Sequence, residues 1–272
     1  MSYTHLIREH YPKLTKSEKK VADFILSAQD KVIYSTISDV KKNTGVGDAT
    51  IIRFCQKLGF SGFSDLKIEI AKENFNHHEA TDQTVNFADV VSKRLVDAVL
   101  ATQQLINIEH VEAAVKLVTE AQHIYIFGVG SSGNTSTDLE GMFLRAGVQS
   151  KAVIDPHFQA QVASLLTKDD LVIAFSLSGK TKDTHDSVTI AKQNQAKIIS
   201  ITNYLLSPIA QQGDVVLQTA IEEFLNGGSL AGKVSQLYIC DVLVNGYERA
   251  NQVDTLKLKE TVLRSILDKS LD

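Results

Sequence analysis

The spacing of apolar positions changes near residue 120, and this change predicts two kinds of structure. Before that point apolar residues recur three and four positions apart, which is typical of amphipathic helices. After it, short apolar runs lie at 124–127, 152–154, 171–175, 198–201 and 215–217. Segments of helical spacing separate the runs, at 134–146, 158–166, 182–194 and 207–211. This alternation predicts an α/β domain with a parallel sheet and helices on both faces.

Polar residues mark helix ends in the first part of the chain. Thr15 and Glu18 fit a capping box, in which each side chain bonds the backbone N–H of the other residue. Thr36 and Asp39 mark a second helix start with the same spacing. Gly45 is expected to end that helix, because glycine readily adopts the left-handed conformation of a helix terminus. The chain is therefore expected to begin with an all-α domain.

A polar, unpatterned segment at 74–84 predicts a linker between the two parts. Its adjacent histidines, His77 and His78, are expected to be an exposed pair and not metal ligands. A long helix is predicted over 85–106, with an apolar stripe that needs a partner. The stripe consists of Val91, Leu95, Val99, Leu105 and Ile106. The expected division of the chain is 1–76, 77–108 for the linker and interdomain helix, and 109–272.

Composition and charge narrow the function classes. The chain has a net charge of −4, but residues 1–75 carry 12 basic and 9 acidic side chains, against 16 and 23 in the remainder. A mildly basic first part on an acidic body allows nucleic-acid contact through the first part. Cys55 and Cys240 fit neither a disulfide framework nor a zinc pattern, and are expected to be buried. Without an apolar run long enough for a membrane span or a signal peptide, a cytoplasmic protein is expected.

A third helix is predicted over 48–58, after a tight turn, and the resulting pair of helices has the layout of a helix-turn-helix. Its apolar positions are Ile51, Ile52, Phe54, Cys55 and Leu58. The exposed residues expected at base edges are Asp48, Thr50, Arg53 and Lys57. Arg53 is the best candidate for reading a base, since its guanidinium can pair with guanine. Lys41, Lys42 and Thr50 are better placed for phosphates. The alternative is a small helical domain with an ordinary solvated face.

The stretch from Thr36 to Ala71 resembles the helix-turn-helix of the RpiR family of sugar-responsive regulators. The matching positions are Ala49-Thr50, Arg53-Phe54-Cys55, Lys57-Leu58-Gly59-Phe60 and Gly62-Phe63. The resemblance covers residues 1–76 and implies DNA binding. One departure is Gly47, where the family usually has serine. Glycine still serves as a helix N-cap there, at a cost of a few tenths of a kcal/mol.

The segment Gly128-Val129-Gly130-Ser131-Ser132-Gly133 follows a predicted strand and opens a helix. It fits the dinucleotide fingerprint G-x-G-x-x-G, and Asp155 lies where an acid that binds ribose belongs. By this motif alone, an NAD site is a candidate.

A second turn favours a compact phosphate. The strand at 171–175 runs into Ser176-Leu177-Ser178-Gly179-Lys180-Thr181, followed by Lys182 and Asp183. Small residues let backbone N–H groups converge, the next helix contributes its positive end, and hydroxyls donate to phosphate oxygens. Two such turns after strands of one parallel sheet can face each other at its carboxyl edge. The alternative is ordinary serine and glycine loop chemistry.

The two turns together resemble the sugar isomerase (SIS) domain over residues 109–252. This resemblance implies a five-stranded parallel, flavodoxin-like sheet that binds a sugar phosphate. The residues it implies for the phosphate are Ser131, Ser132, Ser176, Ser178, Gly179 and Thr181. Asn226, Gly232 and Lys233 depart from the family pattern, in which arginine, serine and arginine are usual, and this leaves the sugar's identity open.

The expected function is a DNA-binding regulator of sugar metabolism controlled by a phosphorylated sugar. Its expected partners are operator DNA, the sugar effector and a second copy of the chain, as a homodimer or dimer of dimers, because operators are usually two-fold symmetric. The stripe over 85–106 and predicted helices over 229–250 and 255–267 are candidate interfaces. No cofactor, metal, membrane or catalytic residue is expected.

A sugar-phosphate isomerase with an accessory helical domain is the alternative function, and an NAD-dependent enzyme is the third. An isomerase needs a general base and an acid, and Glu222, Glu223 and His185 are the candidates near the site. Glu222 or Glu223 could instead bind sugar hydroxyls, which a sensor also requires. An attached DNA-binding domain favours sensing, in which ligand binding shifts a conformational equilibrium.

Overall fold

The computed structural model describes residues 2–28, 32–33, 35–79, 86–220 and 230–264. The chain divides into two compact units. Residues 1–87 make up most of the first, here called the head unit, and the chain from residue 88 makes up most of the second, the sheet unit. Among the described residues no helix is long and apolar enough to cross a membrane.

The described part of the head unit is helical throughout its regular structure. Its helices are α1 (Tyr3–His10), α2 (Lys16–Ala28), α3 (Ile37–Thr44), α4 (Asp48–Lys57) and α5 (Phe63–Glu79). They enclose one apolar core, whose fully buried side chains include Ile7, Ile25, Ile51, Phe54 and Leu66. Burying each such side chain contributes about 1.5–3 kcal/mol, which offsets the entropy of ordering these short helices.

The predicted helix ends in the head unit are confirmed. The Thr15 N–H donates to Glu18 Oε2 at 2.8 Å, and the Glu18 N–H donates to Thr15 Oγ1 at 3.3 Å. Thr36 and Asp39 make the equivalent reciprocal bonds at 2.7 and 3.1 Å. Gly45 adopts the left-handed conformation, with φ of 67°, and ends α3. Local sequence therefore determines where α2 and α3 begin.

Two expectations for this region were wrong in detail. Ile52, predicted with the other apolar positions of this helix, is 36% exposed, whereas Ile51, Phe54 and Cys55 are buried. Helix α5 continues to Glu79, so the first half of the expected linker is helical. Residues 80–85, and the side chains of His77 and His78, lie outside the described residues.

The sheet unit is an α/β fold with a five-stranded parallel sheet in the order β2-β1-β3-β4-β5, as expected. The strands are β1 (His123–Phe127), β2 (Lys151–Val153), β3 (Asp170–Phe175), β4 (Lys197–Thr202) and β5 (Val215–Gln218). The helices are α6 (Phe87–Gln104), α7 (Ile108–Glu120), α8 (Ser131–Arg145), α9 (Pro156–Leu165), α10 (Lys182–Gln193), α11 (Leu230–Ala250) and α12 (Thr255–Arg264).

Helices cover both faces of the sheet, as expected. On β3, Leu171 and Ile173 belong to the core beneath α7, α8 and α11. Val172 and Ala174 alternate with them and belong to the core beneath α9 and α10. All six residues of β3 are buried, since a central parallel strand is covered on both sides. This strand leads directly into residues 176–181, the second of the two candidate phosphate turns.

Sequence reasoning missed one helix in the sheet unit and wrongly assigned another. Helix α7 was not predicted, although Asn107 caps it and Val111, Ala114, Val115 and Val118 have helical spacing and are buried. The helix predicted over 207–211 is absent, and a 3₁₀ turn over Ala210–Gln212 stands there.

Candidate functional site

The exposed surface of the head unit at α3 and α4 carries the predicted DNA contacts. Helix α4 buries Ile51, Phe54 and Cys55. On the other faces of α4, three of the four residues predicted to contact base edges are exposed, and the fourth, Thr50, is half-buried. Both lysines at the end of α3 are also exposed. The exposed residues are Lys41, Lys42, Asp48, Arg53 and Lys57.

Arg53 lies along the surface of α4. Its Nε donates to the Ala49 carbonyl at 3.2 Å, and a terminal nitrogen lies 3.5 Å from Thr50 Oγ1. Both contacts are within one exposed helix turn, so the guanidinium can exchange them for a base edge without uncovering a buried group. Lys41 and Asp48 form an exposed ion pair of 3.6 Å across the α3–α4 turn.

Lys57 has a structural partner that the sequence pattern did not reveal. Its Nζ donates to Glu18 Oε2 at 2.7 Å, and the Glu18 side chain is only 5% exposed. Burial opposes ionisation of Glu18, but hydrogen bonds from Lys57 and Thr15 outweigh it, so the pKa of this carboxyl is lowered. The pair joins the start of α2 to the end of α4.

Residues 128–133, the first of the two candidate phosphate turns, connect β1 to α8 and include the first residues of that helix. A Cβ on Gly128 would lie 2.7 Å from Ser132 O and from Ser136 Oγ, so only glycine lets the turn pack this closely on the helix. Ser131 and Ser132 form the first residues of α8 and are half-buried. The first N–H groups of a helix have no partner within it, so this turn gathers backbone and hydroxyl donors.

Two buried glutamines support this turn, and sequence reasoning gave neither a role. Gln159 Nε2 donates to the carbonyls of Gly128 and Val153, at 3.0 and 2.7 Å. Gln236 Nε2 donates to Ser132 Oγ at 3.1 Å. The signal was available for Gln159, because a glutamine on the apolar face of a short helix needs partners inside the fold.

The second phosphate turn, residues 176–181, follows β3, and polar contacts between its own residues stabilise it. Ser176 Oγ and Thr181 Oγ1 lie 3.0 Å apart, and Ser178 Oγ accepts a hydrogen bond from the Lys180 N–H at 3.2 Å. Gly179 has φ of 62°, and a Cβ there would lie 1.9 Å from Ser207 Oγ. Its carbonyl accepts from the Ile209 N–H at 3.1 Å. These contacts keep the loop close to the chain that follows β4.

The two turns leave neighbouring strands at the same edge of the sheet. β1 lies between β2 and β3, with Phe127 beside Ala174 at its carboxyl end. The chain passes from β1 to β2 on one side and then returns to β3 on the other. This is the switch point at which open parallel sheets bind ligands.

The acidic residue that the dinucleotide interpretation assigned to ribose binding, Asp155, has another role in the structure. Asp155 caps α9, where its Oδ1 accepts from the Phe158 N–H at 3.0 Å. The strand order β2-β1-β3-β4-β5 is the flavodoxin-like order and differs from that of the two-halved dinucleotide fold. The glycine motif therefore serves the close packing of this turn on α8.

The candidate isomerase residues are only partly described. Glu222 and Glu223, together with Asn226, lie outside the described residues. His185 is on α10, with its Nδ1 3.5 Å from the Asp186 carboxylate. Among the described residues, no group of three or more His, Cys, Asp or Glu is placed to hold a metal ion.

Both cysteines are free and buried, as expected. Burial raises the pKa of the Cys55 thiol to about 12 and also raises that of Cys240. Both therefore stay protonated at neutral pH and behave as small apolar side chains.

Comparison with known proteins agrees with this architecture. Residues 1–77 match the model of the helix-turn-helix domain of the rpiR family, and residues 117–246 match the SIS domain. An HTH-type transcriptional regulator of Haemophilus influenzae is 33% identical over 96% of this chain and 95% of its own. One from Clostridium perfringens is 34% identical over 85% of this chain and 86% of its own.

A solved structure extends the similarity to nearly the whole chain. The NanR protein of Vibrio vulnificus, complexed with ManNAc-6P, has a TM-score of 0.81 and 27% sequence identity, and the match covers 99% of this chain and 100% of NanR. With both domain models matched in order, this chain belongs to the RpiR family of helix-turn-helix transcriptional regulators, with a SIS domain after the DNA-binding helices.

Proposed function

We propose that this regulator binds a phosphorylated sugar at the carboxyl edge of its sheet and that this binding controls its affinity for operator DNA. The observation that carries the proposal is the pair of hydroxyl-bearing turns on neighbouring strands β1 and β3. The phosphate would be held by Ser131, Ser132, Ser176, Ser178, Gly179 and Thr181. Glu222, which lies outside the described residues, is proposed to contact the sugar.

The hydrogen bonds already made inside the turns suit an anionic ligand. Ser178 Oγ accepts from the Lys180 N–H, and Ser132 Oγ accepts from Gln236. A hydroxyl whose oxygen accepts a hydrogen bond still has its own proton to donate, so each of these two serines can donate to a phosphate oxygen. Helices α8 and α10 begin at these turns and add the positive ends of their dipoles.

The sugar phosphate class is supported by the relative of known structure. NanR of Vibrio vulnificus was solved with ManNAc-6P bound, and it is similar to this chain over nearly its whole length. At 27% identity the similarity supports the class of ligand, a sugar phosphate, and not one particular sugar. ManNAc-6P is therefore the first probe in a panel and not an assigned effector.

For DNA, we propose that α4 enters the major groove. Arg53 would contact a base, with Asp48 and Lys57 beside it, and the phosphates would be bound by Lys41, Lys42 and Thr50. Such contacts from Lys and Arg make affinity fall as salt rises. Because operators are usually symmetric, the active form would be a homodimer or a dimer of dimers.

A thermal-shift panel tests the ligand proposal. Wild-type protein is heated with ManNAc-6P, glucose 6-phosphate, fructose 6-phosphate, the corresponding free sugars, and NAD. We expect stabilisation by at least one sugar phosphate, loss of that shift in Ser178→Ala, and no isomerase activity at high protein concentration. Stabilisation by NAD alone, or turnover of the sugar phosphate, would contradict the proposal.

A binding titration on the DNA upstream of the chain's own gene tests the operator proposal. We expect Arg53→Ala to weaken specific binding by about 1–3 kcal/mol. Lys13→Ala, which removes an exposed positive charge after α1, is the matched control. Equal affinity of wild type for this DNA and for an unrelated duplex would contradict specific binding there, and unchanged binding by Arg53→Ala would remove its proposed role. Addition of the stabilising sugar phosphate is expected to change the DNA affinity of the wild type.

A further inference from the structure

Gln236 is a fully buried amide on α11 that reaches the first phosphate turn. Its Nε2 donates to Ser132 Oγ at 3.1 Å, and its Oε1 accepts from Thr135 Oγ1 at 3.1 Å. Gln236 and Thr135 both have 0% exposure. A buried amide needs both halves satisfied, and here the two partners lie on successive turns of α8.

These two bonds decide which way the Ser132 hydroxyl can donate. Thr135 Oγ1 lies 3.1 Å from Gln236 Oε1 and 3.4 Å from the Ser131 carbonyl. With its proton on the closer acceptor, the Gln236 carbonyl, the NH₂ half of the amide is directed at Ser132. Ser132 Oγ then accepts a hydrogen bond from Gln236 and cannot donate back along the same line. Its own proton is left for another acceptor, and the proposed acceptor at this turn is a phosphate oxygen.

Two contacts just before Gln236 hold α11 in place. One turn earlier, Lys233 Nζ lies 2.9 Å from the Asp138 carboxylate of α8. The neighbouring Ser235 hydroxyl is fully buried and lies 3.2 Å from the Ala220 carbonyl. An amide on a helix fixed in this way is preorganised, so orienting Ser132 costs little entropy when ligand arrives.

We propose that Gln236 is a positioning residue for the effector: it orients the Ser132 hydroxyl so that the proton is donated to the ligand's phosphate. The proposal rests on the proposed function, because it assumes that a phosphate is bound at Ser132. The role of Gln236 goes beyond the proposed function, because this residue of α11 acts on Ser132 and does not itself touch the ligand. Replacing the Gln236 amide should therefore lower the affinity for the sugar phosphate only while Ser132 keeps its hydroxyl.

A double-mutant cycle on the full chain tests this dependence. Calorimetric titration measures the affinity for the sugar phosphate that stabilises the wild type most, chosen from the panel above. Gln236→Met keeps the length of the side chain and removes both hydrogen bonds. We expect it to weaken affinity about tenfold, equivalent to about 1.4 kcal/mol. In the Ser132→Ala background, Gln236→Met is expected to change affinity by less than about twofold.

A second variant at this position keeps the test decisive if Gln236→Met does not fold. Gln236→Glu has the same size, but an ionised carboxylate only accepts hydrogen bonds. It would take the Ser132 proton for itself, and we expect a loss of more than about tenfold, because it also adds charge near the phosphate. Gln193→Met, at the exposed end of α10, is the matched control and should bind like the wild type.

The outcomes separate this inference from the proposed function. If no sugar phosphate binds the wild type, the proposed function fails and the inference fails with it. If the wild type binds and Ser178→Ala does not, the function stands. Wild-type affinity in the Gln236 variants, or an equal loss with and without the Ser132 hydroxyl, would then overturn the role of Gln236 alone.

Discussion

At the residue scale, the second phosphate turn depends on one glycine. Gly179 combines φ of 62° with no room for a Cβ, since that atom would lie 1.9 Å from Ser207 Oγ. Ser207 is 2% exposed, and its Oγ lies 3.3 Å from the Ala210 N–H, so it cannot move aside easily. The turn geometry is therefore coupled to the segment after β4.

We predict that Gly179→Ala lowers the free energy of unfolding by more than about 2 kcal/mol, because it adds both backbone strain and a clash. Chemical denaturation of the full chain measures the change. Gly141→Ala, inside α8 with open space around it, is the control and is expected to gain about 0.5–1 kcal/mol. Equal stabilities of Gly179→Ala and the wild type would show that the turn is not constrained in this way.

The Glu18–Lys57 pair gives a second prediction, on pH. The folded-state pKa of Glu18 is lowered from its ordinary value of 4.5, so its stabilising effect is present above that pH and disappears as pH falls through the lowered value. We predict that Glu18→Gln lowers stability by about 1–2 kcal/mol at pH 7, with the difference shrinking under acid conditions.

Denaturation of both proteins across this pH range tests the prediction. Glu69→Gln is the control, because Glu69 makes an exposed ion pair with Lys72, and such pairs contribute about 0–1 kcal/mol. A stability difference that stays constant from pH 7 to acid pH would mean that Glu18 does not act through its charge.

At the scale of elements, α4 begins without a side-chain cap. Gly47 is its N-cap, in extended conformation, and makes no side-chain hydrogen bond there. We predict that Gly47→Ser stabilises the chain by a few tenths of a kcal/mol, whereas Gly47→Ala destabilises it by about 0.5 kcal/mol. Denaturant midpoints measure both, and the order Ser, Gly, Ala is the expected result. Alanine equal to serine would exclude capping as the cause.

The elements also show how far local sequence determines structure. The capping boxes at Thr15 and Thr36 were predictable because the interacting residues are three positions apart. The segment 207–211 was predicted wrongly because hydrogen bonds to residues far away in the sequence determine its conformation. The Ile209 N–H donates to the Gly179 carbonyl, and the Ile209 carbonyl accepts from Ser200 Oγ. Those bonds favour a tight turn over a helix.

At the scale of the whole molecule, α6 leaves apolar residues exposed in the single chain. Ala98 and Thr102 are buried within the sheet unit. Val90, Val96 and Leu100 are 51%, 52% and 49% exposed. These three residues lie outside the stripe predicted from the sequence, and the proposed homodimer would cover them.

We predict that Val96→Lys with Leu100→Lys shifts the protein towards monomer, because two buried charges would oppose association. Analytical ultracentrifugation of the wild type and the double variant measures the change. Leu144→Lys, which changes an exposed leucine on α8, is the control. A wild type that sediments as a monomer would contradict the proposed homodimer. A double variant that sediments like an oligomeric wild type would show that the interface does not include Val96 and Leu100.

By itself, the sequence determined the two-part organisation, the starts of α2 and α3, the five strands and the two turns that follow β1 and β3. These features arise from side-chain periodicity and from contacts between residues a few positions apart. Only the tertiary structure decided which groups from distant parts of the chain meet: Lys57 with Glu18, Gln159 with Gly128, and Gln236 with Ser132. Periodicity says which face of an element is buried, but the partner of a buried polar group depends on how separate elements pack.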